Sequence, residues 1–423
     1  MKPSGTSMRY MTQFRCLGAD CIATCCTSWR VYIDQPHYVQ LRRKLSPEHP
    51  TDNDPRFVLM PKQKRTHSSH AMLVMRPDQT CPFLSAEQLC EVHREHGAEV
   101  LPDVCAQYPR STHRVAGELE LSGFISCPEV ARLILFEENA TELVATDNPF
   151  GGDRSLLSST TAGEEAAALQ GWRALLLDVL DQEAFSVRGR LFAVGAMALR
   201  VMPAFQSKKF VLRELRSHIE ALRAPDILPK LDALARAHAK PNGFALETVV
   251  RALSLRPAGN VRTSYNALMA AVLPTLEAQS DGAVKRVGEH YDIDTEALTA
   301  AYVRRQETLD ARFGALFQRA QRNFMRHALW SETPLIVQRG QATFALSIPV
   351  RVAMQQFLFA FHPRTEAALQ SGNEQVLRDL MQTVCFSLAR ELEHNETMMA
   401  VYRRAVHERV RALPEAAAIA GIC

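Results

Sequence analysis

The chain has 423 residues, enough for two or three domains of ordinary size. Apolar residues make up 47%, charged residues 22%, and the net charge is +3; this is globular composition, and it speaks against both wholesale disorder and a strongly basic nucleic-acid binder. Glycine is sparse at 19, no G-x-G-x-x-G follows a strand-like run, and no Walker A loop occurs, so no glycine-rich nucleotide cradle is visible.

In chain order, residues 1–16 are polar and mixed, without the apolar core and small-residue cleavage site of a secretory signal. Trp29, Val31 and Ile33 alternate with polar neighbours and predict a short strand ending at Asp34–Gln35–Pro36. Residues 45–70 read as a polar loop. Residues 71–75 are a short apolar run, and 115–126 alternate as one strand or a hairpin. A Gly/Ser/Thr-rich stretch, 148–163, reads as a linker. Beyond it the period becomes helical over 164–180, at Val211, Leu215, Ile219 and Leu222, and over 227–239, 302–322 and 375–410. Pro203, Pro229, Pro241, Pro257 and Pro274 are expected to end or kink these helices. Residues 341–350, where Phe344, Leu346 and Ile348 alternate, predict a strand. The expected fold is mainly α: an irregular cysteine-rich N-terminal metal module with a few short strands (1–147), a linker (148–163) and a mainly helical region (164–423). No run approaches 18 apolar residues, so no membrane partner and a cytoplasmic location are expected.

Eight of the ten cysteines fall in the first 127 residues: Cys16, Cys21, Cys25, Cys26, Cys81, Cys90, Cys105 and Cys127. Four of them lie within eleven positions. In a reducing compartment such a set points to metal rather than to disulfides. Thiolates are soft donors suited to zinc and to iron–sulfur clusters, and close spacing lets one loop wrap a centre that distant cysteines close. Eight thiols suffice for two four-ligand sites, or for one cluster with the remainder structural. The C-x3-C-x2-C loop of radical S-adenosylmethionine enzymes is not present, because Ser28 stands where its third cysteine belongs. Cys385 sits in an apolar helical stripe with Leu377, Met381, Val384 and Leu388 and reads as core. His93-x2-His96 lies on an expected helix, where solvated surface is favoured over metal ligation; Glu391-x2-His394 lacks the second copy that a di-iron site needs.

The segment Cys16…Cys25-Cys26-x2-Trp29, the pair Cys81-Pro-Phe-Leu…Leu-Cys90, the box Cys105-x2-Tyr-Pro-Arg110 and Cys127-Pro-Glu129 together resemble the flagellin lysine N-methylase family. The later part is also similar to small cysteine-rich proteins described as zinc- or iron-binding. The motifs cover about 115 residues; an Arg322-Asn323-Phe324 segment adds a weaker likeness. The resemblance implies methyl transfer from S-adenosylmethionine to lysine side chains of flagellin, a [4Fe–4S] cluster held by the cysteines, and substrate binding by the helical region. Zinc is the alternative metal. A non-catalytic zinc-binding interaction module, or a metal- or redox-handling protein, remains the competing reading.

Under the enzymatic reading a lysine ammonium, with its pKa near 10.4, must lose its proton and be aligned behind the sulfonium carbon. Tyr108, Asp103 and Glu129 flank cluster cysteines and are candidates to orient the amine, against a purely local hydrogen-bonding role. Arg110 is a candidate for the donor's carboxylate, against a structural ion pair. Trp29 is a candidate to stack on adenine or sulfonium, against a role as core. Asn323 is a candidate substrate contact.

Overall fold

The computed structural model describes residues 5–423 except 28, 47–53, 148–159, 162, 184, 207–211, 255–262, 289, 340–343 and 393–395. The readings placed on Ser28, Val211, Pro257, His394 and most of 148–163 lie outside the described residues. The N-terminal part is built from β1 (Gly5–Met8), α1 (Arg9–Gln13), β2 (Tyr32–Ile33), α2 (Gln35–Leu45), β3 (Phe57–Leu59), β4 (Ala71–Leu73), α3 (Glu91–His96), α4 (Asp103–Gln107), β5 (Arg110–Val115), β6 (Glu118–Gly123), α5 (Pro128–Phe136), β7 (Leu143–Thr146) and β8 (Thr160–Thr161). Helices follow: α6 (Gly163–Leu180), α7 (Val187–Gln206), α8 (Leu212–Leu222), α9 (Ile227–His238), α10 (Gly243–Ser254) and α11 (Thr263–Gln279). After a hairpin of β9 (Val284–Val287) and β10 (His290–Ile293) come α12 (Thr295–Arg339), α13 (Phe344–Ala360), α14 (Pro363–Ser371), α15 (Glu374–Leu392), α16 (Glu396–Arg409) and α17 (Leu413–Gly421). The mainly α architecture, with short strands confined largely to the cysteine-rich part, agrees with the sequence pattern.

The larger sheet has the order β7-β1-β6-β5-β8. Its centre is the β5–β6 hairpin, with Thr112 opposite Leu121. Ala116 and Gly117 both take positive φ, +53° and +87°, as a two-residue turn of the primed type requires. Strand β1 runs parallel to β6. Gly5 permits the approach: a Cβ there would stand 2.3 Å from the Leu119 carbonyl oxygen. The smaller sheet, β2-β4-β3, holds the strand expected near Ile33 and the first three residues of the apolar run at 71–75. Strand β3 lies inside the segment read as a polar loop, because Phe57–Leu59 supplies a short apolar run within polar flanks.

Two apolar cores result. The smaller gathers Val31, Ile33, Leu41, Ala71, Leu73, Phe83, Val92 and Leu101 around the second sheet. The larger runs from Met8, Tyr10, Leu121, Ile125 and Val130 into the C-terminal helices without a break. Helices α12 and α15 pack directly on α5. The Trp330 indole donates to the Leu121 carbonyl at 3.2 Å, and the Tyr10 hydroxyl is 3.0 Å from His327 Nδ1.

The strand expected at 341–350 is a helix from Phe344 onward. Residues 345–361 are buried on every side, so an alternation of large apolar residues there marks no face. The prolines also behave unevenly. Pro241 follows the end of α9, but Pro229 sits in its first turn, where a missing N–H costs nothing. Pro203 and Pro274 fall within α7 and α11. The helical period over 375–410 is divided between α15 and α16.

Candidate metal centre

Four chain segments deliver the eight cysteines to one place. Cys16, Cys21, Cys25 and Cys26 come from an irregular loop that turns through a short 3-10 helix, Gly18–Asp20, with the Cys21 amide bonded to Gly18. The Cys26 amide is held by Thr24 Oγ1 at 3.1 Å. Cys81 and Cys90 are paired by a tight loop in which Ser85 bonds Leu89 and Glu91 bonds Phe83. The Cys81 amide donates to the Cys26 carbonyl at 2.8 Å, which joins the first segment to the second. Cys105 lies in α4, and Cys127 stands at the N-cap of α5.

All eight line a single cavity of about 340 Å³. It lies at the seam between the two cores: Cys127 belongs to the larger, and Cys26, Cys81, Cys90 and Cys105 to the smaller. Cys16 and Cys25 are the exposed pair, and none of the ten cysteines forms a disulfide. Cys385 is buried in the larger core, as its stripe predicts.

Electrostatics favour the protonated thiol at six of the eight cysteines. Burial raises the pKa of Cys21, Cys90 and Cys105, and pushes Cys127 up to about 12. A hydrogen bond with Cys26 raises Cys25. Cys26 itself reaches about 12: Cys25 favours its thiolate, but Cys81, burial and the neighbouring thiols outweigh that. Cys81 alone is lowered, by its hydrogen bond with Cys26. Backbone amides at the N-termini of α3 and α5 oppose the rise at Cys90 and Cys127. A soft cation displacing these protons would answer the accumulated cost, and the donor set fits zinc or an iron–sulfur centre.

The other candidates divide. Tyr108, Arg110 and Trp29 border the cysteine cavity and also a second cavity of about 500 Å³. Trp29 and Tyr108 are in ring contact, with centroids 5.6 Å apart, and the Tyr108 hydroxyl is 3.1 Å from Ser126 Oγ. Asp103, the first residue of α4, lines the second cavity only. Glu129 reaches the cysteine cavity, but both its carboxylate oxygens accept from Arg132 at 2.9 Å. Asn323, on α12, borders neither cavity; its amide oxygen accepts from Thr141 Oγ1 at 3.4 Å. Of the histidine pair on α3, His93 borders the cysteine cavity.

Sequence reasoning missed Arg390. From α15 it donates to the Ser126 carbonyl at 3.0 Å and to the Ala23 carbonyl at 2.8 Å, and its charge favours thiolate at Cys21 and Cys25. Nothing local marks it: it is one of many arginines in helical segments, and its partners lie hundreds of positions away.

Residues 15–127 match the profile of a family described as "Putative zinc- or iron-chelating domain". The chain is 28% identical over 140 residues, a third of its length, to the "Flagellar biosynthetic protein FliU" of Salmonella muenchen, covering 80% of that protein. The same identity and length relate it to the "Lysine-N-methylase" of Salmonella typhimurium and of Salmonella choleraesuis, where the match spans 34% of each. No solved structure matches the chain, and among the described residues no helix is long and apolar enough to cross a membrane. A zinc- or iron-chelating type of sequence thus spans the segment that bears all eight clustered cysteines, and a third of the chain is similar to lysine-N-methylases.

Proposed function

We propose that this protein is a lysine N-methyltransferase that uses S-adenosylmethionine, acts on flagellin in the cytoplasm, and holds a [4Fe–4S] centre with its N-terminal cysteines. The observation that carries the reading is one cavity lined by eight thiols and edged by Trp29, Tyr108 and Arg110. The names of the similar proteins support the reaction and the flagellar substrate. The donor count supports a polynuclear centre, since eight thiols line the cavity and a single zinc takes four.

A bound cluster would supply a rigid, charged template to which four chain segments attach. The chemistry at the amine needs no redox step. The lysine ammonium gives up one proton to solvent, the freed nitrogen lone pair forms the new N–C bond, and the C–S bond breaks with its electron pair going to sulfur. Methyl-lysine and neutral S-adenosylhomocysteine result. The chain's part is to desolvate and align the amine, and aligned geometry supplies much of such an acceleration. We assign its orientation to Tyr108, which borders both cavities. Burial holds its phenol far above the usual tyrosine range, so it stays a neutral hydrogen-bonding group near neutral pH.

The test is anaerobic purification with quantification of iron, acid-labile sulfide and zinc, followed by incubation with flagellin and labelled S-adenosylmethionine. About four iron and four sulfide per chain, with methyl-lysine that disappears in Cys25→Ala and Cys105→Ala, is the expected result. Zinc without sulfide and no methyl-lysine would replace this reading with a structural zinc module.

A further inference from the structure

We infer that the second cavity is the binding site for the zwitterionic amino-acid end of the methyl donor; the inference rests on the methyltransferase reading above. The cavity of about 500 Å³ shares the wall formed by Trp29, Tyr108 and Arg110 with the thiol-lined hollow, yet no cysteine lines it. Its charges come in two signs. Asp34 and Asp103 bring carboxylates whose oxygens lie within 4.8 Å of each other and of a His37 ring nitrogen. Arg30 brings a guanidinium group, and Arg110 stands at the shared wall with its guanidinium over the Phe14 ring on the cysteine side. Carboxylates and a guanidinium lining one cavity, with a second guanidinium at the shared wall, match an α-ammonium and an α-carboxylate together.

The remaining lining matches the rest of the donor. Trp29, Tyr108 and Phe124 form a connected aromatic face, with Tyr108 and Phe124 nearly parallel at 6.2 Å between centroids. Aromatic faces attract cations such as a sulfonium and stack on planar bases. Asp34 is held firmly in place, because it caps α2 by accepting the His37 amide at 3.0 Å while its other oxygen is 2.6 Å from His37 Nδ1. With the donor's polar end in this cavity, the shared wall sets its reactive end beside the thiol-lined hollow.

The experiment measures equilibrium binding of S-adenosylhomocysteine and of 5′-methylthioadenosine, which lacks the amino-acid end, to the full chain. The variants are Asp34→Asn, Asp103→Asn and Arg30→Gln. None of the three residues lines the cysteine cavity, and asparagine keeps the helix cap. Each is expected to bind S-adenosylhomocysteine roughly ten- to a hundredfold more weakly, as loss of a charge-assisted contact implies. Methylthioadenosine binding and metal content should stay at the wild-type level. Ultraviolet cross-linking of labelled S-adenosylmethionine to the unaltered protein should mark the peptides holding Trp29 or Tyr108, which keeps the test valid if a variant misfolds. Wild-type affinity in all three variants, or cross-links only in the helical region, overturns this inference and leaves the methyltransferase reading standing. Failure of the unaltered protein to bind any of these compounds overturns both.

Discussion

Arg390 joins three things that the chain keeps far apart. It leaves α15, bonds the carbonyls of Ala23 and Ser126, and sets a positive charge near Cys21 and Cys25. It is buried, with its guanidinium over the Phe386 ring. Replacing it by methionine keeps the packing stem and removes both charge-assisted bonds, together worth about 1.5–3 kcal/mol or more. The Arg390→Met protein should fold, as judged by circular dichroism, but retain less than half of the wild-type iron or zinc after gel filtration. Full metal retention would show that Arg390 merely packs. At this scale the cysteines were legible in the sequence because metal chemistry resides in residue type and count. Arg390 was not, because its identity is ordinary and its partners are remote. Glu129 illustrates the converse: its place beside Cys127 suggested chemistry, and only the structure shows Arg132 occupying both carboxylate oxygens.

Elements dock through a few buried polar ties set in apolar surface. The clearest joins β6 to α6: Glu120 and Arg173 form a two-pronged ion pair at 2.6 and 2.5 Å, both side chains nearly inaccessible to solvent. The guanidinium also lies 4.1 Å from the Trp330 ring centroid, which brings α12 into the same joint. Arg173→Ala would leave the Glu120 carboxylate buried without its counter-charge, at a cost of about 3–5 kcal/mol in urea unfolding. Glu120→Gln combined with Arg173→Met should recover much of that loss, because the uncompensated charge is gone; equal destabilisation in the double variant would mean that shape, not charge, sets the cost. Long helices were legible from apolar period, as α6 and α12 show. The strand expected at 341–350 failed because burial on every side of α13 erases the periodic signal. Strand β3 escaped notice because three residues give no period at all.

The molecule is organised around two cores with the thiol-lined cavity at their seam, and this arrangement determines what metal loss should do. The smaller core holds about a dozen apolar side chains and relies on Cys26, Cys81, Cys90 and Cys105 at its edge, whereas the larger extends through the C-terminal helices. Metal binding to such a site is folding free energy for the segment that supplies the ligands. Chelation should therefore raise hydrogen exchange in residues 16–27 and 81–105 while α12, α13 and α15 stay protected. Uniform loss of protection in all helices would contradict a separable smaller core.

Acid tests the other junction, where the Tyr10 hydroxyl meets His327 on α12 and also accepts the Gly123 amide at 2.8 Å. With the Gly123 amide as donor to its oxygen, the tyrosine can give its own proton to Nδ1, so the ring there is neutral. Burial, with Arg351 nearby, pushes the His327 pKa down to about 3, from about 6.5 in an unfolded chain. A folded-state pKa below the unfolded one means that the unfolded state takes up protons first as pH falls. Stability from this residue is complete above pH 6.5 and is lost as pH falls from there toward 3. At pH 5 the loss amounts to about 2 kcal/mol, from one and a half pH units at about 1.36 kcal/mol each. His327→Gln keeps an acceptor for Tyr10 but cannot titrate. Urea unfolding at pH 7 and pH 5 should show a smaller pH-dependent drop in the variant than in the wild type, by about that amount. An equal drop in both proteins would place the acid sensitivity elsewhere, with His362, lowered by burial to about 4, the next residue to replace.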